Sequence, residues 1–302
     1  MRKFDPVVVV CFFAYLASYI PLIYLSNSAG VPPLAVLPVS TFVSCVCAVV
    51  ITILTGWWRT WEADNDASRA AFQASPFTAM VLSLVPLAYA IAQPAAILPT
   101  VIMMKVGSLL VTLSRGISGA RSTLRAKLAV ASCAAIVCVA AAGKLFAGGS
   151  IAMSLSGLLV AGLYVASYAG RLRAMSGHKK SIAYFSLEHL AAPFIALAGM
   201  LFASFWSKDL ALGFTLWGNG KLWLLGLCSQ AAGLAGGWIL VGRQLSSAAM
   251  VINRSAAILA GVALVLMQGC RLDMARGFEF ASAVMVPVVL AMLPSEPAQV
   301  HK

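Results

Sequence analysis

The chain has 302 residues, of which 61% are hydrophobic and only 10% charged, with a formal net charge of +12 and a mean hydropathy of +0.94. A soluble globular domain carries about 25% charged residues, so this composition excludes one and describes an integral membrane protein. The basic excess does not require nucleic acid, because Lys and Arg collect on the cytosolic side of membrane proteins.

A helix of about 20 apolar residues spans roughly 30 Å of hydrocarbon. Such runs fall near 7–25, 33–56, 76–93, 97–114, 127–142, 150–170, 181–204, 220–240, 245–267 and 276–293. They predict an all-α fold of about ten transmembrane helices. Nine stays open, since the fifth run is short and Ala-rich and only the QPAA turn divides the third from the fourth. The first run follows MRKFDP, carries Tyr15, Tyr19 and Tyr24, and lacks a small-residue cleavage site, which reads as a retained signal anchor. The connection WWRTWEADNDASRAAFQ reads as a charged cytosolic loop whose Trp residues suit the membrane interface. With the N-terminus in the cytosol, fourteen basic residues between Arg2 and Lys302, Arg171 and Arg173 among them, fall on that side. Five fall opposite: Lys144, Lys208, Lys221, Arg271 and Arg276. The bias predicts both termini in the cytosol.

Lys105 in the fourth run and Arg254 in the ninth lie about eight residues, roughly 12 Å, from their helix ends. A charge at that depth costs about 2.5–3.5 kcal/mol on insertion scales, so it should face a wet cavity or a partner. Glu188 in the seventh run is the only deep carboxylate, and one carboxylate cannot neutralise two cations. The expectation is a net positive central cavity and an anionic substrate, against the simpler reading that each cation pairs with an acid. Tyr15 with Tyr19, and Tyr164 with Tyr168, recur at i and i+4, so each pair shares one helix face. Lining the cavity and anchoring the interface are equal readings for them. Asn253 suits a base or ribose, or equally an interhelical hydrogen bond.

Gly233 and Gly237 in the eighth run form a GxxxG pair that lets another helix approach, within the chain more often than in a homodimer. The seven cysteines form no CxxC or Cys–His pattern, so no metal site is expected. Phosphate-binding Gly loops and nucleophile elbows are absent from the sequence, so neither an enzyme nor a cofactor is expected.

The pentapeptide YLASY at 15–19 returns as YVASY at 164–168, an offset of 149, and the same offset carries Lys105 to Arg254. Two unrelated features sharing one offset predict an internal repeat, residues 1–149 and 150–302. Five helices per half is an odd number, so the second half is inverted relative to the first. Inverted repeats are a recurrent plan of secondary transporters, with the substrate site near the midplane.

In this plan the chain resembles the nucleotide-sugar transporters of the drug/metabolite transporter superfamily, most closely the GDP-mannose type. Their ninth helix carries Gly-Ala-Leu-Asn-Lys; here MVINR at 250–254 keeps Asn253 and puts Arg254 at the lysine. Their fourth helix has a lysine after a Pro-Thr-Tyr-like opening, and PTVIMMK ends at Lys105. Their seventh helix has Phe-Tyr-Asn-Asn before a proline; FSLEHLAAP keeps Phe185 and Pro193, with Glu188 at an Asn position. The resemblance implies exchange of a cytosolic nucleotide-sugar for a lumenal nucleoside monophosphate in the Golgi membrane. Lys105 and Arg254 would hold the phosphates, and Asn253, Tyr15, Tyr19, Tyr164 and Tyr168 would orient the rest. Alternatives are a sugar-phosphate/phosphate antiporter of the same superfamily, a proton-coupled metabolite exporter led by Glu188, and a membrane scaffold.

Overall fold

A computed structural model of the chain describes residues 6–93, 96–114, 124–146, 154–175, 181–242, 247–269 and 274–291. The basic connections holding Arg115, Arg121, Lys179, Lys180, Arg243 and Arg271 lie outside the described residues, as do Arg2, Lys3, Cys270 and Lys302. Among the described residues there are ten helices of 18 residues or more and no strand. They are α1 (Pro6–Asn27), α2 (Leu37–Thr55), α3 (Asn65–Ile91), α4 (Ile97–Ser114), α5 (Leu124–Phe146), α6 (Leu155–Met175), α7 (Ile182–Ala203), α8 (Gly220–Gly242), α9 (Ser247–Met267) and α10 (Met274–Ala291). Among the described residues, six segments are long and apolar enough to cross a membrane: α1, Pro33–Thr55, α3, α6, α7 and Gly220–Leu240. The helices α4 and α9, which carry the deep cations, hold shorter apolar stretches, Ile97–Ser108 and Ile252–Met267.

Three departures from the expected spans have local causes. The expected loop after α2 is largely helical: Gly56 ends α2 at a φ of 67°, a 3-10 turn covers Trp57–Thr60, and α3 begins at Asn65. Asp64 caps α3, its carboxylate accepting the Ala67 N–H at 3.1 Å. A capped, Ala-rich start supports helix without an apolar face. Of the tryptophans there, only Trp58 is exposed; Trp57 stacks on Trp238 at 6.2 Å between centroids, and the Trp61 indole donates to Ser186 Oγ at 2.8 Å. Next, α6 continues past 170 to Met175 and takes Arg171 into the helix. Last, a short helix, Lys208–Gly213, sits in the connection after α7, capped by Ser207.

Burial is inverted relative to a soluble protein. Leu54 and Phe205 are about four-fifths exposed, while Lys105 and Arg254 are 2% exposed and Glu188 is fully enclosed. Apolar side chains facing outward need lipid around them, whereas the polar groups find partners only inside the bundle.

In the packing, α1 lies on α8 and α9, and α6 lies on α3 and α4. The helix α3 packs on α7 and α8 on α2, while α2 meets α7, α4 meets α9 and α5 meets α10. Glycines let α8 approach several neighbours at once. A Cβ added at Gly226 would overlap the Ser40 carbonyl and Val43 of α2, one at Gly237 would meet Phe185 and His189 of α7, and one at Gly236 would meet Tyr15 and Asn253. The GxxxG pair thus packs within the chain, with the His189 ring nitrogen 3.0 Å from the Gly233 carbonyl oxygen.

Gly226→Ala should lower the thermal midpoint of the detergent-purified protein, by the equivalent of about 1–3 kcal/mol for overpacking. Gly199→Ala, where the added carbon meets open space, should leave it unchanged or raise it. Equal midpoints for the two variants would contradict the close α2–α8 contact.

Candidate functional site

The two sequence echoes converge on one place. The offset-related cations Lys105 and Arg254 come from α4 and α9, and the offset-related tyrosine pairs come from α1 and α6. Because i and i+4 share a helix face, the rings within each pair stack, Tyr15 on Tyr19 at 5.1 Å and Tyr164 on Tyr168 at 5.9 Å between centroids. All four tyrosines are buried, so the cavity reading holds for them rather than the interface-anchor reading. Each cation sits over the second tyrosine of its own half's pair, and Lys105 Nζ also lies 4.9 Å from the Tyr164 ring centroid. Lys105 Nζ is 4.7 Å from the Tyr19 ring centroid, and Arg254 Cζ is 3.7 Å from that of Tyr168.

Tyr164 joins the two cations. Its hydroxyl oxygen accepts from Lys105 Nζ at 3.0 Å and from Arg254 Nη1 at 3.1 Å. Tyr19 in turn exchanges a hydrogen bond with Tyr89 of α3 at 3.0 Å between oxygens. Aromatic faces attract cations by about 2 kcal/mol when desolvated, which offsets part of the burial. Within this cluster, and among the described residues, two donors remain enclosed without a hydrogen-bond partner, Arg254 Nη2 and the Tyr168 hydroxyl. Tyr164, having accepted twice, still has its own proton to donate. The cluster is thus rich in donors and poor in acceptors, and an oxyanion is the complement it lacks.

These side chains line a cavity of about 80 Å³ walled by α1, α3, α4, α6, α8 and α9. Asn253 lines it too, with its amide nitrogen donating to the Gly236 carbonyl at 3.0 Å. That bond favours the interhelical reading of Asn253 and leaves its amide oxygen and one N–H for a ligand.

Glu188 does not balance Lys105 or Arg254. It faces α6, where Arg171 clamps it from two sides, Nε to Oε1 at 2.8 Å and Nη2 to Oε2 at 3.0 Å. The Thr78 hydroxyl of α3 donates to the same Oε1. Glu188 is enclosed behind Arg171 and does not line the cavity, whereas Arg171 does. Sequence reasoning missed Arg171 by ending the sixth span at 170 and assigning it to the cytosolic side. The signal was present: Arg171 stands three residues after Tyr168 and seven after Tyr164, on the same helix face. Neither Lys105 nor Arg254 forms an ion pair among the described residues. Among those residues, no three His, Cys, Asp or Glu side chains cluster as metal ligands.

Arg171→Met should destabilise the protein by about 3–5 kcal/mol, because it strands a buried carboxylate with a hydroxyl as its only close partner. The double variant Arg171→Met/Glu188→Met should recover most of that loss. Thermal melts of the three proteins check this; single and double variants melting together would mean that the pair is not coupled.

No protein-family model matches the chain and no curated protein matches its sequence, so what this site does has to be argued from its own residues.

Proposed function

We propose that the protein is a secondary transporter that exchanges organic phosphates across an endomembrane. The observation that carries this reading is two deep cations joined by one tyrosine hydroxyl in a central cavity, with no carboxylate beside them. Deep charges of this kind mark substrate pathways in membrane proteins. On the resemblance, the first substrate is a nucleotide-sugar, GDP-mannose or a related GDP-sugar, entering from the cytosol of the Golgi membrane and exchanged for the nucleoside monophosphate. Both termini are then cytosolic, and no enzyme chemistry is involved.

The proposed architecture is ten transmembrane helices in two inverted five-helix repeats, 1–149 and 150–302. It is supported by the packing, which largely survives an exchange of halves: α1 on α8 and α9 becomes α6 on α3 and α4, and α2 on α8 becomes α7 on α3. One pair of cation-over-tyrosine contacts obeys the same exchange, Lys105 with Tyr19 becoming Arg254 with Tyr168, whereas the further contact of Lys105 with the Tyr164 ring at 4.9 Å belongs to Lys105. The cavity of about 80 Å³ is well below the roughly 300–1,000 Å³ of sites that hold drug-sized ligands. Admission therefore requires the halves to rock apart, as alternating access does.

A sugar-phosphate/phosphate antiporter is the second reading, and the engagement of the Asn253 amide with Gly236 favours it, since base recognition loses a donor. A proton-coupled exporter fits less well, because Glu188 is held on both oxygens by Arg171.

Proteoliposomes preloaded with GMP should accumulate labelled GDP-mannose several-fold faster than empty ones. Moving an empty cavity with two unneutralised cations through low dielectric is unfavourable. Lys105→Ala and Arg254→Ala should each reduce uptake more than about tenfold, the loss of one charge-assisted contact, while remaining folded. Stimulation by triose phosphate or inorganic phosphate in place of GMP would select the second reading. Equal rates in empty and loaded vesicles for all these anions, or near-wild-type uptake by both variants, would overturn the transporter reading.

A further inference from the structure

Three basic side chains line the cavity, Lys105, Arg171 and Arg254, but their charges do not count equally. Both oxygens of Glu188 are engaged by Arg171 Nε and Nη2, which leaves Nη1 outside the clamp. Glu188 itself is fully enclosed and makes no part of the cavity lining. It therefore cancels one positive charge of the cavity wall without occupying any of the space a ligand would take. With Lys105 and Arg254 unpaired and Arg171 neutralised, the wall presents two net positive charges, not three. Arg171 still offers a hydrogen bond.

We propose that Glu188, acting through Arg171, is the residue that sets the charge of the accepted ligand, restricting the cavity to dianions. This inference rests on the organic-phosphate reading. A nucleoside monophosphate, a sugar monophosphate and the pyrophosphate diester of a nucleotide-sugar each carry about −2 above the second phosphate ionisation near pH 6. A nucleoside diphosphate carries one more charge on an added terminal phosphate. On a wall with no further basic residue among the described residues, that extra charge would find no counter-charge, and low dielectric makes the mismatch expensive. Size alone discriminates poorly here, because a nucleotide-sugar is larger than the diphosphate it contains. Charge number separates the two where volume does not.

Thr78 belongs to the same device. Its hydroxyl donates to the Oε1 that Arg171 Nε also engages, so α3 helps to hold the carboxylate against α6. Removing the negative charge while keeping the shape, as Glu188→Gln does, would leave Arg171 as a third full cation on the cavity wall.

The test is binding of GMP and GDP, and of UMP and UDP, to the purified full-length protein in nanodiscs at fixed ionic strength and pH 7.5. The quantity read is the ratio of monophosphate to diphosphate affinity. The wild type should prefer the monophosphate. Glu188→Gln should shift the ratio toward the diphosphate by tenfold or more. The double variant Arg171→Met/Glu188→Met restores two net charges and should return the ratio to within about threefold of wild type. A purely structural role for the pair would weaken both ligands together and leave the ratio unchanged, and that result in Glu188→Gln overturns the proposal. If Glu188→Gln does not fold, the double variant decides: a retained monophosphate preference supports the charge count, and its loss overturns it. A wild type that transports phosphorylated anions but favours the diphosphate refutes the inference alone, whereas a wild type that binds and exchanges none of these anions refutes the functional reading beneath it.

Discussion

A cation buried inside a bundle of apolar helices must receive from the protein what water would otherwise supply, and the centre of this molecule is arranged around that constraint. Lys105 and Arg254 are surrounded by tyrosines rather than by acids. The rings of Tyr19 and Tyr168 offer their negative faces, and the hydroxyl of Tyr164 accepts from both cations. Each contact is worth about 1–3 kcal/mol, comparable with the insertion cost of one charge. Such a shell lets the cations exist but does not neutralise them. Mutual repulsion across a shared hydroxyl persists between the two charged groups, and an anion bound between them would relieve it.

Arg171 shows the other solution within the same bundle. There a carboxylate meets the guanidinium with two parallel hydrogen bonds, the geometry in which Arg is best matched, and the pair is electrically quiet. Had Glu188 faced α4 or α9, the cavity would have lost half its charge and Arg171 would have been stranded. Its position on α7, against α6 and α3, keeps the neutral pair and the charged pair apart. The glycines of α8 serve the same end by packing: Gly236 leaves room for Tyr15 and Asn253, and Gly237 for Phe185 and His189. Larger residues there would push the cavity wall outward.

Apart from the start of α3, hydropathy alone located the long helices to within about five residues, since a run of apolar residues that long has few other uses. The offset of 149 also carried over into space, because related residues in α1 and α6, and in α4 and α9, meet at one cavity. What the sequence hid was direction. Nothing in FSLEHLAAP says which face of α7 turns inward, so Glu188 was placed with the wrong cations. Arg171 was hidden by the habit of ending a span at the first charge, although its spacing from Tyr164 and Tyr168 marked it as inward. The start of α3 escaped for the opposite reason: a capped, Ala-rich segment forms helix by propensity and local hydrogen bonds, to which a hydropathy window is blind.

The proposed repeat would account for where the two cations sit but not for their being different. A lysine offers a compact charge with three rotatable donors, whereas an arginine keeps its charge under nearly all conditions and presents a rigid fork. Arg254 uses Nη1 on Tyr164 and stacks its plane 3.7 Å from the Tyr168 centroid, with Nη2 left unpaired. Its orientation is fixed before any ligand arrives. Lys105 touches the same hydroxyl through a longer, flexible stem, with its Nζ over the Tyr19 and Tyr164 rings. On the transport reading, Arg254 then fixes the direction from which a phosphate is approached, and Lys105 follows the phosphate once it is bound. Tyr164 couples the two, because any shift of one cation changes the hydrogen bond that the other makes. A symmetric pair would hold the ligand equally from both halves; the Lys–Arg difference, together with a bridge from Tyr164 that Tyr15 does not duplicate, gives the cavity one rigid side and one that yields.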